Sequence, residues 1–265
     1  MKIACVGDIG IDYYENLNKE LVGGISFNFA ANAKELGADV SVISAIGNWD
    51  KDKILRVLKN KKIDFSRIKI MQGKSALQKI FLSENGERKF TGYDPGVLKY
   101  LYLGDNSQAF LKTHEIIACP LSDGLENVFE TIAKLEFSGK KVADLSMDYA
   151  KFSLDLLDKY INCFDIIFIG GDKEILGAIE KKNYAREKII VVTLGKEGSF
   201  AFHDNTKFYG YALIPSRITD TTGCGDAFQA AFTVEYFTSK NIDIAMKKGA
   251  EQAAKVIQHV GGILQ

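Results

Sequence analysis

The sequence predicts an α/β protein with a mostly parallel central sheet and a small β flap. Three observations carry that prediction. From Glu115 onward, short apolar runs alternate with helix-like segments, the rhythm of βα units joined by right-handed crossovers. Those runs are continuously apolar, as strands buried on both faces are. Between Ser75 and Gly92 the texture changes to two polar, partly alternating runs around Asn85-Gly86, a hairpin signal.

Taken in order, Lys2 to Val6 reads as a buried first strand ending at Gly7-Asp8. Phe27 to Leu36 has helical composition and stops at Gly37, a C-cap residue. Asp39 to Ala45 is strand-like, and Asp50 to Asn60 is a charged helix with Ile54, Leu55 and Leu58 at helical spacing. Ser75–Ser83 and Glu87–Gly92 make the hairpin, with Asn85 and Gly86 turning because both tolerate positive φ. "EIIAC", "KVAD", "DIIFIG" and "KIIVVTLG" follow as strands, with helices over Leu121–Phe137, Phe152–Ile161 and Lys173–Glu180. A second hairpin spans Ser199 to Tyr211 and turns at Asp204-Asn205. Helices over about Asp226–Thr238 and Ile242–Val260 complete the pattern. No repeat, low-complexity tract or Pro/Ser-rich linker interrupts it. Residues 1–265 therefore read as a single domain, with lid segments at about 12–24 and 72–97.

Composition narrows the function. Lys+Arg and Asp+Glu both count 34, so there is no excess positive charge for general nucleic-acid binding. Cys5, Cys119, Cys163 and Cys224 form no CxxC pair and read as free thiols of a reducing cytosol. His114, His203 and His259 lie far apart and offer no zinc spacing. Asp8 and Asp12 interrupt the first apolar run too early for a signal peptide, and no stretch approaches a membrane span. The cytoplasm is the expected location.

The chemistry concentrates in "ITDTTGCGDAFQAAFTVEYF", Ile218 to Phe237. Gly223, Cys224 and Gly225 carry little side-chain bulk, so their amides can approach an anion. The helix that starts near Asp226 adds the positive end of its dipole. Together they form an anion hole suited to a phosphoryl group. A carboxylate there repels phosphate unless it faces the incoming hydroxyl, where Asp226 can orient that group and accept its proton. The plainer reading is that Asp226 only caps the helix.

"DTTGCGD" (Asp220 to Asp226) closely resembles the C-terminal signature of the ribokinase-like, phosphofructokinase-B-type sugar kinases, with Cys224 where that family usually has alanine. "GGISFNFAAN" (Gly23 to Asn32) resembles the family's N-terminal signature at Gly23, Gly24, Asn28 and Ala30. The resemblance covers the whole chain. It implies a ribokinase-like three-layer sandwich with a lid, and ATP-dependent phosphorylation of a sugar hydroxyl. It implies Asp226 as base, the amides of Gly223, Cys224 and Gly225 as anion hole, and Asp12, Gly24 and Asn28 on the sugar hydroxyls. "VVTLGKEGS" resembles the strand and turn beside the nucleotide, with Thr193, Gly195, Gly198 and Thr222 lining it. Mg2+ is implied, with Glu174 acting through water although Gly171 stands where the family often has Asn. K+ bound by the carbonyls near Asp220 and Thr222 is implied too, with Gly261 a weaker candidate. A homodimer formed through the lid belongs to the same expectation.

The acceptor is read less directly. Arg88 and Tyr93 are placed near the sugar mouth, where Arg88 either pairs with a substrate anion or is a solvated hairpin residue. "VGDIGIDYY", "YDPGV" and "AAKVIQHVGG" resemble the bacterial fructoselysine 6-kinases, which implies a sugar or fructosamine substrate. Nucleosides, sugar acids and fructose remain alternatives, as does a silent sugar-binding protein on the same fold. "GDIGID" fails the dinucleotide fingerprint and no Walker sequence occurs. A thiol enzyme built on Cys224 would lack a nearby histidine.

Overall fold

The computed structural model describes residues 1–145, 154–182, 184 and 188–264. The chain begins with β1 (Lys2–Val6), then β2 (Gly10–Tyr14) and β3 (Lys19–Gly23), α1 (Ile25–Glu35), β4 (Asp39–Ile43), β5 (Ala45–Gly47) and α2 (Lys51–Asn60). It continues with β6 (Lys69–Met71), β7 (Ala76–Leu82), β8 (Arg88–Asp94), α3 (Asp105–Leu111), β9 (Ile116–Pro120) and α4 (Glu126–Lys134). β10 (Lys140–Asp144), α5 (Leu154–Tyr160), β11 (Ile166–Gly170), α6 (Lys173–Lys182) and β12 (Ile189–Thr193) follow. β13 (Ser199–His203), β14 (Thr206–Gly210), α7 (Cys224–Ser239) and α8 (Ile242–Val256) complete the described part. The expected helix over Phe152–Ile161 lies partly outside the described residues; its described part is α5.

Among these residues, eight strands form one sheet in the order β14-β13-β12-β11-β10-β9-β1-β4. The six strands from β12 to β4 in that order are parallel, and β13 and β14 add an antiparallel hairpin edge. Strand side chains alternate between two cores, which explains the unbroken apolar runs. Ile3, Val40, Ile116, Phe168 and Val191 face α1, α2, α7 and α8 through Phe27, Ile54, Phe232 and Met246. Ala4, Ile43, Ile117, Ile167 and Val192 face α4, α5 and α6 through Phe129, Leu157 and Ile179. The result is the expected three-layer α/β sandwich. No helix among the described residues is long and apolar enough to cross a membrane.

A four-stranded sheet, β3-β2-β7-β8, stands apart from the main sheet. Its hairpin turns over Glu84–Gly86 as expected, but only one of the two residues read as tolerating positive φ adopts it. Ser83 N donates to Glu87 O and Gly86 N to Ser83 O, both at 2.9 Å, and only Gly86 takes positive φ, at 82°. This is a tight turn closed by a left-handed glycine. The second hairpin turns as expected, with Asp204 and Asn205 both at positive φ. The helix expected over Leu121–Phe137 is shorter. Gly124, at φ 83°, turns the backbone out of helix, and α4 starts at Glu126.

Candidate active site

The cleft lies beyond the carboxyl ends of the parallel strands. From β1 the chain moves to β4 on one side and later to β9 on the other, so β1 marks a switch point where such sheets leave a crevice. Asp8 follows β1, Asp144 ends β10, Gly170 ends β11 and Thr193 ends β12. All four line a cleft of about 300 Å3. The small sheet forms its other wall through Asp12 of β2, Gln78 of β7, and Arg88, Phe90 and Tyr93 of β8. Two helix N-termini complete it, α1 with Gly24 and Asn28, and α7 with Gly223, Cys224, Gly225 and Asp226. Residues some 200 positions apart in sequence thus share one space.

Glycines shape both ends. Gly24 and Gly223 have φ of 114° and 72°, and a Cβ on Gly223 would sit 2.3 Å from the Gly262 Cα. Neither site accepts a side chain. By contrast, a Cβ on Gly170, Gly195 or Gly225 would meet nothing within 4 Å, so these glycines border open space. Gly23 leaves room for the Asp12 carboxylate, which would lie 1.9 Å from a Cβ there.

Asp226 sits in the first turn of α7, whose N-terminus has no side-chain cap, so the capping role does not describe it. Its Oδ2 accepts from Asn28 Nδ2 at 2.8 Å. Burial pushes its carboxyl well above the usual range. The Asn28 bond opposes that rise, Asp144 and Asp8 add to it, and Arg88 counters it. Asn28 is itself held by packing against Gly262, and its Oδ1 is buried without a partner among the described residues. Asp12 is 5% exposed and is pushed up to about 7 by burial and by Asp8 and Asp220, with Arg88 opposing. Burial raises the Cys224 thiol, which works against the helix dipole and against a thiolate mechanism.

Two carboxylates escaped the sequence reading. Asp8 accepts from Ile25 N at 2.8 Å and Ser26 N at 3.0 Å, capping α1 from a distant loop. Asp144 ends a buried parallel strand, and an acid in that place, in "KVAD", was the available signal. Gln78 and Gln229 also line the cleft and carried no signal.

Several expected residues lie elsewhere. Gly198 is a turn residue whose Cβ would sit 2.3 Å from the Gly210 carbonyl oxygen, and it does not line the cleft. Glu174 is exposed in the first turn of α6, behind the Asp172 cap, in a neighbouring depression that shares Gly171 with the cleft. Asp220 has no exposed surface. Its carboxylate accepts from Tyr14 OH at 2.6 Å, Gly261 N at 2.8 Å and Thr222 N at 2.8 Å. That set does not fit a cation-ligating side chain. Among the described residues no group of three or more His, Cys, Asp or Glu gathers to hold a metal. A phosphate-borne Mg2+ needs only one or two carboxylates, and Asp144 on the cleft wall meets that need.

A glycine-lined cleft beside a recessed carboxylate is an arrangement suited to holding a phosphoryl group. Residues 2–265 match the pfkB family of carbohydrate kinases, and the chain belongs to that family. It is an ATP-dependent carbohydrate kinase. Fructoselysine 6-kinase of Shigella flexneri is 29% identical, with 98% of each chain covered. Fructosamine kinase FrlD of Bacillus subtilis is 27% identical, covering 96% of this chain and 90% of that one. Among solved structures, the nucleoside kinase of Methanocaldococcus jannaschii superposes with a TM-score of 0.81 at 22% identity, covering 98% and 93%. A ribokinase from Thermotoga maritima gives 0.75 at 20%, covering 99% and 94%.

Proposed function

We propose that the protein phosphorylates a sugar hydroxyl of a fructosamine, fructoselysine first among candidates, with ATP as donor. The observation that carries this reading is the 2.8 Å bond between Asn28 and Asp226, which joins the sugar-side helix to the candidate base inside one cleft. In this reading Asp12, Gly24 and Asn28 hold the sugar hydroxyls. Arg88 and Tyr93 face the rest of the acceptor. Thr193, Gly195 and Thr222 border the nucleotide, and Gly198 shapes the turn behind it. The fructoselysine and fructosamine kinases among the relatives support a fructosamine, and an acidic wall suits an acceptor that carries an amine.

The step balances simply. The sugar oxygen forms a bond to the γ-phosphorus as its proton passes to Asp226. The bond from that phosphorus to the bridging oxygen breaks, and its electron pair leaves with ADP. The amides of Gly223, Cys224 and Gly225, at an uncapped helix start, stabilise the charge on the moving group. Asp144, and Glu174 through water, would hold Mg2+, which neutralises phosphate charge when bound. K+ has no free carboxylate at Asp220 and takes no part in this reading.

The chain acts as a single kinase domain, with the small sheet, built from segments at about 12–24 and 72–97, as its lid. A homodimer through that lid and a cytoplasmic location complete the proposal. An ATP-consumption screen over fructoselysine, fructose, ribose and nucleosides tests the substrate. Preference for a nucleoside would replace it. Asp226→Asn should leave sugar binding nearly intact and cut turnover by roughly 10²–10⁴-fold. Retained turnover would remove Asp226 from the base role.

A further inference from the structure

Tyr14 has no exposed surface, and its hydroxyl donates to Asp220 Oδ2 at 2.6 Å. It lies two residues beyond Asp12 on β2, so both side chains leave the same face of the strand. Asp220 in turn accepts from the Thr222 amide, one residue before the anion loop, and from the Gly261 amide. A single carboxylate therefore ties together the sugar-side strand, the anion loop and the C-terminal segment that packs behind Asn28.

A buried carboxylate needs compensation. A monovalent cation could supply it, but only by exchanging its water shell for a ring of protein oxygens. Here one O–H and two N–H groups fill three of roughly four acceptor positions on the carboxylate. The donors point hydrogen, not lone pairs, at the Asp220 carboxylate, which leaves that side chain little capacity to ligate a cation.

We propose that the Tyr14 hydroxyl stands in for the monovalent cation that the ribokinase-like resemblance implies. The kinase then turns over without K+, and Tyr14 is a positioning residue for the anion loop. Burial and the Asp220 charge both raise the Tyr14 hydroxyl above its ordinary range, which keeps the phenol a donor. The proposal rests on the placement of the anion loop at Gly223 to Gly225 given above.

The first test uses the unaltered protein in KCl, NaCl and choline chloride at equal ionic strength. Melting temperature should be the same in all three, and turnover on whichever acceptor the screen identifies should agree within about 1.5-fold. The melting series needs no substrate, so it stands even if fructosamines are not the acceptor. A stabilisation specific to K+, or activation by K+ of about fivefold or more, overturns the proposal. The second test is Tyr14→Phe. Removing a donor from a buried carboxylate should lower kcat about tenfold and the melting temperature by about 4 °C, with the sugar KM little changed. An unchanged kcat, or a loss confined to the sugar KM, overturns the positioning role.

Discussion

Asn28→Asp is a nearly isosteric change that turns the donor facing Asp226 into an acceptor. The two groups are 2.8 Å apart. At an effective dielectric of about 20, two carboxylates at that distance repel by about 6 kcal/mol. A pair so placed holds one proton between its members across neutral pH. The repulsion is then relieved, but the base is lost. The rate deficit is therefore set by what base help contributes, roughly 10²–10⁴-fold in kcat near neutral pH. The assay is steady-state phosphorylation from about pH 6 to about pH 9, where the deficit should shrink as the shared proton leaves. Asn28→Ala is the comparison. It removes the donor without adding charge, so it should raise the sugar KM and keep more of kcat. If Asn28→Asp retains the parent kcat at neutral pH, the bond between the two residues has no bearing on proton transfer. An Asn28→Ala variant with unchanged KM would remove Asn28 from the sugar site.

Other consequences follow from the same cleft. Arg88 opposes the upward shifts of Asp12 and Asp226, and the proposed roles require both to be ionised. Arg88→Gln should therefore move the acid limb of the kcat/KM profile to higher pH, with the largest loss on the acid side; an unmoved limb would place Arg88 outside the site's field. A Cβ on Gly262 would lie 2.4 Å from Asn28 Nδ2, so Gly262→Ala should displace Asn28 and cost about tenfold or more in kcat/KM. Parent kinetics in that variant would refute the packing argument. Cys224→Ala should leave turnover almost unchanged, because the proposed contact with phosphate uses its amide rather than its thiol; full inactivation would revive a thiol mechanism.

The main sheet was legible because its strands are buried on both faces and bounded by glycine or acid. The first half of the small sheet was not. Gly10–Tyr14 and Lys19–Gly23 carry Gly, Asp, Lys and Glu, and they become strands by pairing with each other and with the distant β7. Nothing local announces that pairing. α3 was missed for the same reason, being short and half-exposed. At the site, the two glycine-rich signatures led to Asp226, Asn28 and Gly24, because each marks a helix start where backbone must approach a ligand. The tie between Asn28 and Asp226 was invisible, since it exists only once α1 and α7 pack together. Asp220 was read through its family role, whereas its partners Tyr14 and Gly261 are set by tertiary contact.

An acidic cleft is an unexpected host for a polyanionic donor, and the two helix starts resolve the conflict. Both α1 and α7 begin at glycine without a cap from their own first turn. Asp8 reaches α1 from outside and takes its first amides, so that positive end is already neutralised. Among the described residues no carboxylate does this for α7, where the Cys224 amide makes only a long bond, 3.4 Å, to the Thr221 carbonyl. Asp8, Asp12 and Asp226 are each raised by burial, which disfavours their charged forms. Arg88 adds positive charge on the side of α7, within reach of Cys224 and Asp226. The cleft is therefore polarised along its length. In the proposed reading a neutral or amine-bearing polyol is favoured where α1 is capped, and phosphate at the start of α7. The reacting hydroxyl then lies between them, beside the Asp226 carboxylate that Asn28 holds.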